Sequence, residues 1–153
     1  MKSNIKNLIR LSATGAMLLA FGIGPNLALA LPAGFEIQTV ATGFNLPTTV
    51  AFAPDGRIFV AEKGGTVRII KNGVLLANPL ITLSDVNAYG DRGLIGMAVD
   101  PSFSTNGYLY LSYTFENTPG TSYSGIKTGR IVRVTVVGDV ADESSKVVIL
   151  GSI

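Results

Sequence analysis

The sequence contains no cysteine and no histidine. Without cysteine no disulfide framework can hold the fold, and without either residue the usual zinc ligands are missing. A Ser-His-Asp or Cys-His pair cannot be assembled from these residues. Charge is sparse, with only 14% of residues charged, so stability must come from packing or bound ions. No glycine-rich nucleotide loop follows a strand and opens a helix. No apolar run reaches the ~20 residues that a membrane-spanning helix requires.

The first thirty residues differ from the remainder. They carry Lys2, Lys6 and Arg10 and no acid, then an apolar run from Gly15 to Gly24, and they close on Ala28-Leu29-Ala30. A basic start, a short apolar middle and small residues at a cleavage site identify residues 1–30 as a secretory signal peptide. Gly24-Pro25-Asn26 interrupts the run, which argues against a permanent anchor. The expected mature chain, residues 31–153, is therefore exported to a periplasmic or extracellular location and has no membrane span. Export also removes three bases, and the formal charge changes from +2 to −1. No basic patch remains to suggest nucleic acid.

From Leu31 onward the pattern is all-β, with short Val-, Ile-, Phe- and Tyr-rich runs separated by Gly, Pro, Asn and Asp. Residues 35–40 alternate like a half-buried strand. Residues 48–53 and 57–61 flank Pro54-Asp55-Gly56, where Pro presets one turn dihedral and Gly accepts a positive φ. Residues 66–71 form a further strand ahead of the hairpin signal Asn72-Gly73. Residues 74–83, interrupted at Asn78-Pro79, supply an outer strand, where proline is tolerated at an edge. The pattern then repeats. Residues 94–99, 108–113, 129–137 and 145–150 read as four strands, and Ala51 aligns with Ala98, 47 residues later. A period of about 40–50 residues with four strands per unit marks a propeller blade. Residues 46–83 are then blade 1, residues 94–150 blade 2, and residues 35–40 a candidate strand closing another blade. Propellers need about 4–8 blades to close, so the chain reads as part of a larger ring.

Leu46-Pro47-Thr48-Thr49-Val50-Ala51-Phe52-Ala53-Pro54-Asp55-Gly56-Arg57-Ile58-Phe59-Val60-Ala61-Glu62 resembles the first blade of the soluble glucose/sorbosone dehydrogenase family. Asp91-Arg92-Gly93-Leu94-Ile95-Gly96-Met97-Ala98-Val99-Asp100-Pro101-Ser102-Phe103, followed by Asn106 to Tyr113, is similar to its second blade. The resemblance implies a six-bladed propeller carrying pyrroloquinoline quinone (PQQ) and calcium, with a sugar as substrate and a separate electron acceptor. It also implies a histidine base just past the second blade and calcium ligands further downstream. This chain stops at Ile153 and holds none of these, so it is expected to be inactive alone and to hold neither PQQ nor calcium unaided. No catalytic or metal-ligating residue is assigned within it.

One pocket position of the family falls inside the chain. It precedes the Gly-Leu-Leu-Gly stretch, is glutamine in the best-known type, and is Arg92 here. A guanidinium offers a planar donor fork to a cofactor carboxylate or quinone oxygen. The alternative is that Arg92 pairs with Asp91 or another loop acid and shapes the turn. Asp85, Asp91 and Asp100 fit no EF-hand spacing, and Asp55 and Asp100 suit turn capping. Tyr108 and Tyr110 share a strand face and Tyr113 takes the other, which favours blade packing over a sugar-stacking platform. The loop from Asn117 to Gly129 reads as a flexible excursion. Two other readings stay open: a secreted binding propeller that has lost the chemistry, and a truncated reading frame with an exposed blade face. If residues 1–30 are a cleaved leader, amino-terminal sequencing of the exported protein gives Leu31 as the first residue. A protein that keeps Met1 would show the leader to be retained.

Overall fold

A computed structural model describes residues 32–151; the leader assigned to residues 1–30 lies outside them. The chain divides into two units, residues 1–37, of which 32–37 are described, and the unit that follows from Gln38. In that following unit, two antiparallel sheets form. The first runs β1 (Pro47–Phe52), β2 (Ile58–Glu62), β3 (Thr66–Lys71), with β4 (Val74–Leu75) and β5 (Ile81–Thr82) both on β3. The second runs β6 (Leu94–Val99), β7 (Tyr108–Phe115), β8 (Thr128–Val137), with β9 (Val140–Ala141) and β10 (Val147–Leu150) both on β8. Each sheet is an antiparallel meander with its first strand at one edge and two short strands sharing the other.

The turn chemistry sets the registers. Gly56 sits at φ 87° beyond Pro54-Asp55, which lets β1 return as β2 with Ala51 opposite Phe59. Asn72 and Gly73 both take positive φ, at 52° and 75°, the primed geometry that matches strand twist in a tight hairpin. The outer strand expected over residues 74–83 forms as two short strands on either side of its expected interruption at Asn78-Pro79. Pro79 has no N–H to give a ladder, so pairing stops after Leu75 and resumes at Ile81. The outer strand expected over residues 145–150 likewise begins at Val147, after a 3-10 turn at Glu143–Ser145 that Asp142 caps by accepting from the Ser144 N–H at 2.8 Å. Residues 35–40, marked as a strand by alternation, have no strand pairing.

A one-turn helix, α1 (Phe103–Asn106), was not expected. Asp100 organises it: Oδ1 accepts from the Ser102 N–H at 2.8 Å and the Asn106 amide at 2.9 Å, and Oδ2 from the Tyr110 hydroxyl at 2.8 Å. These bonds, that from Asn106 foremost, hold the Asp100 carboxyl below its ordinary value. The capping role read from its turn position is thus the observed one.

The core lies between the two sheets. Phe59, Ala61, Val67 and Ile69 of the first pack in one buried cluster with Leu94, Leu109, Leu111, Val132 and Val134 of the second. Hydrogen bonds stitch the same seam. The Leu94 N–H donates to the Lys63 carbonyl at 3.0 Å, the Thr48 hydroxyl to the Leu94 carbonyl at 2.7 Å, and the Ala141 N–H to the Leu80 carbonyl at 2.8 Å. At the far end of the sheets Arg57 acts as a clamp. Its guanidinium pairs with Asp55 at 2.7 Å, reaches Asp139 at 3.2 Å and the Gly138 carbonyl, and lies against the rings of Phe59 and Phe103. The planar fork can satisfy several acceptors while its faces stay on apolar rings, which lysine cannot do. Among the described residues, no helix is long and apolar enough to cross a membrane.

Asp55, through its bond from Arg57, and Asp139, through its bonds from Lys71 and then Arg57, are both held below the ordinary value of 3.8. A carboxyl with a lowered folded value contributes stability that is complete above 3.8 and is lost as pH falls through the folded value. The urea midpoint is therefore expected to fall as the solution is acidified below pH 3.8, and Asp139→Asn should make that fall shallower. An acid limb unchanged in this variant would remove Asp139 from the titrating set.

Candidate functional site

The loops at the end opposite Arg57 converge on the start of β6. Gly93 holds φ 144°, and a Cβ there would sit 2.6 Å from the Lys63 carbonyl oxygen. Only glycine allows this approach, and the approach lets the next residue, Leu94, bond Lys63 across the seam. Arg92, just before it, is thereby fixed in place. Its N–H closes a turn onto the Tyr89 carbonyl at 3.1 Å, and its Nη1 donates to the Ser122 carbonyl at 3.0 Å.

The Ser122 carbonyl belongs to the loop between β7 and β8, and a buried amide holds that loop down. Asn87 is 3% exposed. Its Nδ2 donates to Ser122 O at 2.9 Å and to Glu116 Oε2 at 2.5 Å, and its Oδ1 accepts from the Tyr89 N–H at 3.2 Å. Glu116 in turn pairs with the buried Lys127 at 2.8 Å, and this bond, with that from Asn87, lowers its carboxyl below the ordinary range. The Asn117–Gly129 loop, read from sequence as a flexible excursion, is therefore pinned at its base. Nothing in the sequence distinguishes Asn87 from a solvated turn residue; only tertiary packing shows it to be buried.

Arg92 forms no ion pair among the described residues, so the turn-shaping pairing with Asp91 is not what the structure contains. One guanidinium nitrogen is used by a carbonyl, and the half-buried fork keeps further donors. Around it stand Tyr89 and Tyr123, with ring centroids 6.2 Å apart, and Lys63, whose Nζ donates to the Gly90 carbonyl. The end thus carries the charged side chains of Lys63 and Arg92 together with that of the exposed Asp91.

Asp85, Asp91 and Asp100 do not converge. Asp85 accepts from Lys146 at 2.7 Å and from the Tyr113 hydroxyl at 3.1 Å, with Arg130 at 3.6 Å. Burial, and then Asp85, push the Tyr113 hydroxyl well above its ordinary range, so it stays a donor. Asp91 is exposed, and Asp100 holds the turn that leads into α1. No group of three acidic, histidine or cysteine side chains that could hold a metal occurs among the described residues. Tyr113 is buried in the core, whereas Tyr108, under Arg133, and Tyr110, bonded to Asp100, lie half-exposed on the opposite face of β7.

A sequence model of the family described as Glucose / Sorbosone dehydrogenase matches residues 44–150. The chain belongs to that family. The aldose sugar dehydrogenase YliI of Escherichia coli (strain K12) is 28% identical over 103 residues, which cover 67% of this chain and 28% of that protein. The PQQ-bound aldose sugar dehydrogenase from Streptomyces coelicolor matches with a TM-score of 0.58 and 25% identity, over 76% of this chain and 33% of that one. The Hedgehog-interacting protein of Mus musculus is 34% identical over 86 residues, 51% of this chain and 12% of that protein. The chain thus spans a third or less of the proteins it matches. Within this sugar dehydrogenase family, the two sheets are blades of a β-propeller.

Gly93→Ala should destabilise the chain by more than about 1 kcal/mol, because the seam must open to admit the methyl group. Urea titration measures the loss, and an unchanged midpoint would show that the seam tolerates a wider approach.

Proposed function

We propose that the chain forms the amino-terminal third of an exported, PQQ-dependent sugar dehydrogenase. The observation that carries this is the family match over residues 44–150, which coincides with the two blades. In this reading residues 35–40 add a strand to a blade formed elsewhere in the ring, and blades 1 and 2 supply one wall of the pocket.

Arg92 fits such a cofactor. It stands at the loop end with unpaired donors beside Lys63, and an acidic quinone presents carboxylate and carbonyl oxygens that a guanidinium binds bidentately. Arg92 orients the cofactor and neutralises its charge; it is not a base, since guanidinium does not lose its proton in proteins. The chemistry supplied when quinone and calcium bind is acceptance of a hydride from the sugar carbinol carbon. With no histidine in the chain, the general base and the calcium ligands would come from residues beyond Ile153, and the chain alone turns over no sugar.

A second reading rests on the 34% identity to Hedgehog-interacting protein: a propeller of this family used for recognition rather than oxidation. The two readings separate on the polypeptide encoded through and beyond the codon for Ile153. Supplied with PQQ and calcium, it should reduce an artificial dye in the presence of an aldose. Arg92→Ala should raise the PQQ concentration for half-reconstitution about tenfold, or about 1.4 kcal/mol, with unchanged circular dichroism. No dye reduction would favour the recognition reading, and an unaltered PQQ requirement would place Arg92 outside the pocket.

A further inference from the structure

The segment from Asn87 to Gly93, which carries Arg92 into β6, is fastened at both ends to one residue of β7. The Asn87 N–H donates to the Thr114 carbonyl at 2.8 Å, and the Thr114 N–H donates to the Gly93 carbonyl at 3.0 Å. Between these anchors a ring of bonds closes through the Asn87 side chain. Its Oδ1 accepts from the Tyr89 N–H at 3.2 Å, and the Tyr89 carbonyl accepts from the Arg92 N–H at 3.1 Å. Arg92 Nη1 then donates to the Ser122 carbonyl at 3.0 Å, and Asn87 Nδ2 donates to that same carbonyl at 2.9 Å.

One amide therefore sets both ends of Arg92, the main chain through Tyr89 and the guanidinium through Ser122. A carbonyl oxygen has two lone pairs, and Asn87 and Arg92 take one each. Asn87 is 3% exposed, so water does not readily replace a donor lost from it. Its Nδ2 also donates to Glu116, which pairs with Lys127, so the amide cannot turn without giving up a charge-assisted bond. An arginine side chain is long and rich in rotamers. One already held on a carbonyl loses less freedom when a ligand meets its remaining donors.

We propose that Asn87 is a positioning residue for the anionic cofactor, acting through Arg92 without touching the cofactor itself. The proposal rests on the reading of Arg92 as a PQQ contact and adds to it the buried, uncharged group that aims the guanidinium.

The full polypeptide of the dye-reduction test, free of cofactor, gives the first readout. With isotope-labelled arginine, the Arg92 guanidinium signals are assigned by their absence in Arg92→Lys. They should be resolved in the wild type and averaged in Asn87→Leu, a change of similar size that removes both donors. Equilibrium binding of PQQ, followed by its absorbance with calcium present and no sugar, gives the second. Asn87→Leu should weaken binding about threefold in the wild-type background and leave it unchanged in the Arg92→Ala background. A residue that merely supports the fold weakens binding equally in both. Should Asn87→Leu not fold, Asn87→Asp, which keeps the acceptor for Tyr89 and loses the donors, carries the same cycle. Averaged Arg92 signals in the wild type overturn the proposal, as does equal weakening in both backgrounds or wild-type affinity in Asn87→Leu. If Arg92→Ala itself leaves PQQ binding unaltered, the reading of Arg92 falls and takes the proposal with it. Resolved signals that Asn87→Leu averages then mark the failure as that of the reading and not of the positioning.

Discussion

The close approach of the Lys63 backbone to the start of β6 is the constraint on which the rest of this structure depends. It brings a carbonyl within hydrogen-bonding distance of Leu94, and it is possible because residue 93 has no side chain. With the inner strands held that close, side chains from one sheet reach into the other and a single apolar cluster spans both. A few tenths of an ångström more would leave gaps, and close-packed interiors lose their dispersion contacts across such gaps. The Arg57 clamp at the other end works in the same sense, tying the β1–β2 turn to the β8–β9 turn through charge-assisted bonds.

Holding the seam also builds the site. Arg92 precedes the glycine that makes the approach, so its position follows from the seam rather than from packing of its own. The opposite wall comes from the β7–β8 loop, which the buried Asn87 and the Glu116–Lys127 pair fasten to the sheet. A buried amide with every partner in place is a rigid element. It presents the Ser122 carbonyl to Arg92, whose other guanidinium donors are the ones the proposed cofactor contact would use.

Much of the fold was legible because strands and turns are local. Short Val-, Ile- and Leu-rich runs mark the strands over residues 66–71 and 94–99, and Pro-Asp-Gly and Asn-Gly dictate how the chain reverses. The 47-residue offset between Ala51 and Ala98 made the repeat visible. The outer strands pair over fewer residues than the runs that mark them, since edge pairing is weak and the break at Asn78-Pro79 reaches its neighbours. The α1 turn was missed because four residues carry too little periodicity, and its cause is the Asp100 side chain rather than an apolar pattern.

At the site the division is sharper. Position 92 was found through its place before a recognisable stretch, and residue type alone supplied its chemistry, a permanently charged planar donor. That Arg92 bonds Ser122 rather than Asp91, that Asn87 is buried, and that Tyr89 meets Tyr123 involve residues up to 35 positions apart. The sequence by itself determined what depends on neighbours along the chain: strand faces, turn types, the repeat, and the absence of any histidine base. Only the tertiary structure decided which loops share an end and which polar groups find partners. Those outcomes rest on contacts between distant residues, and no local preference encodes them.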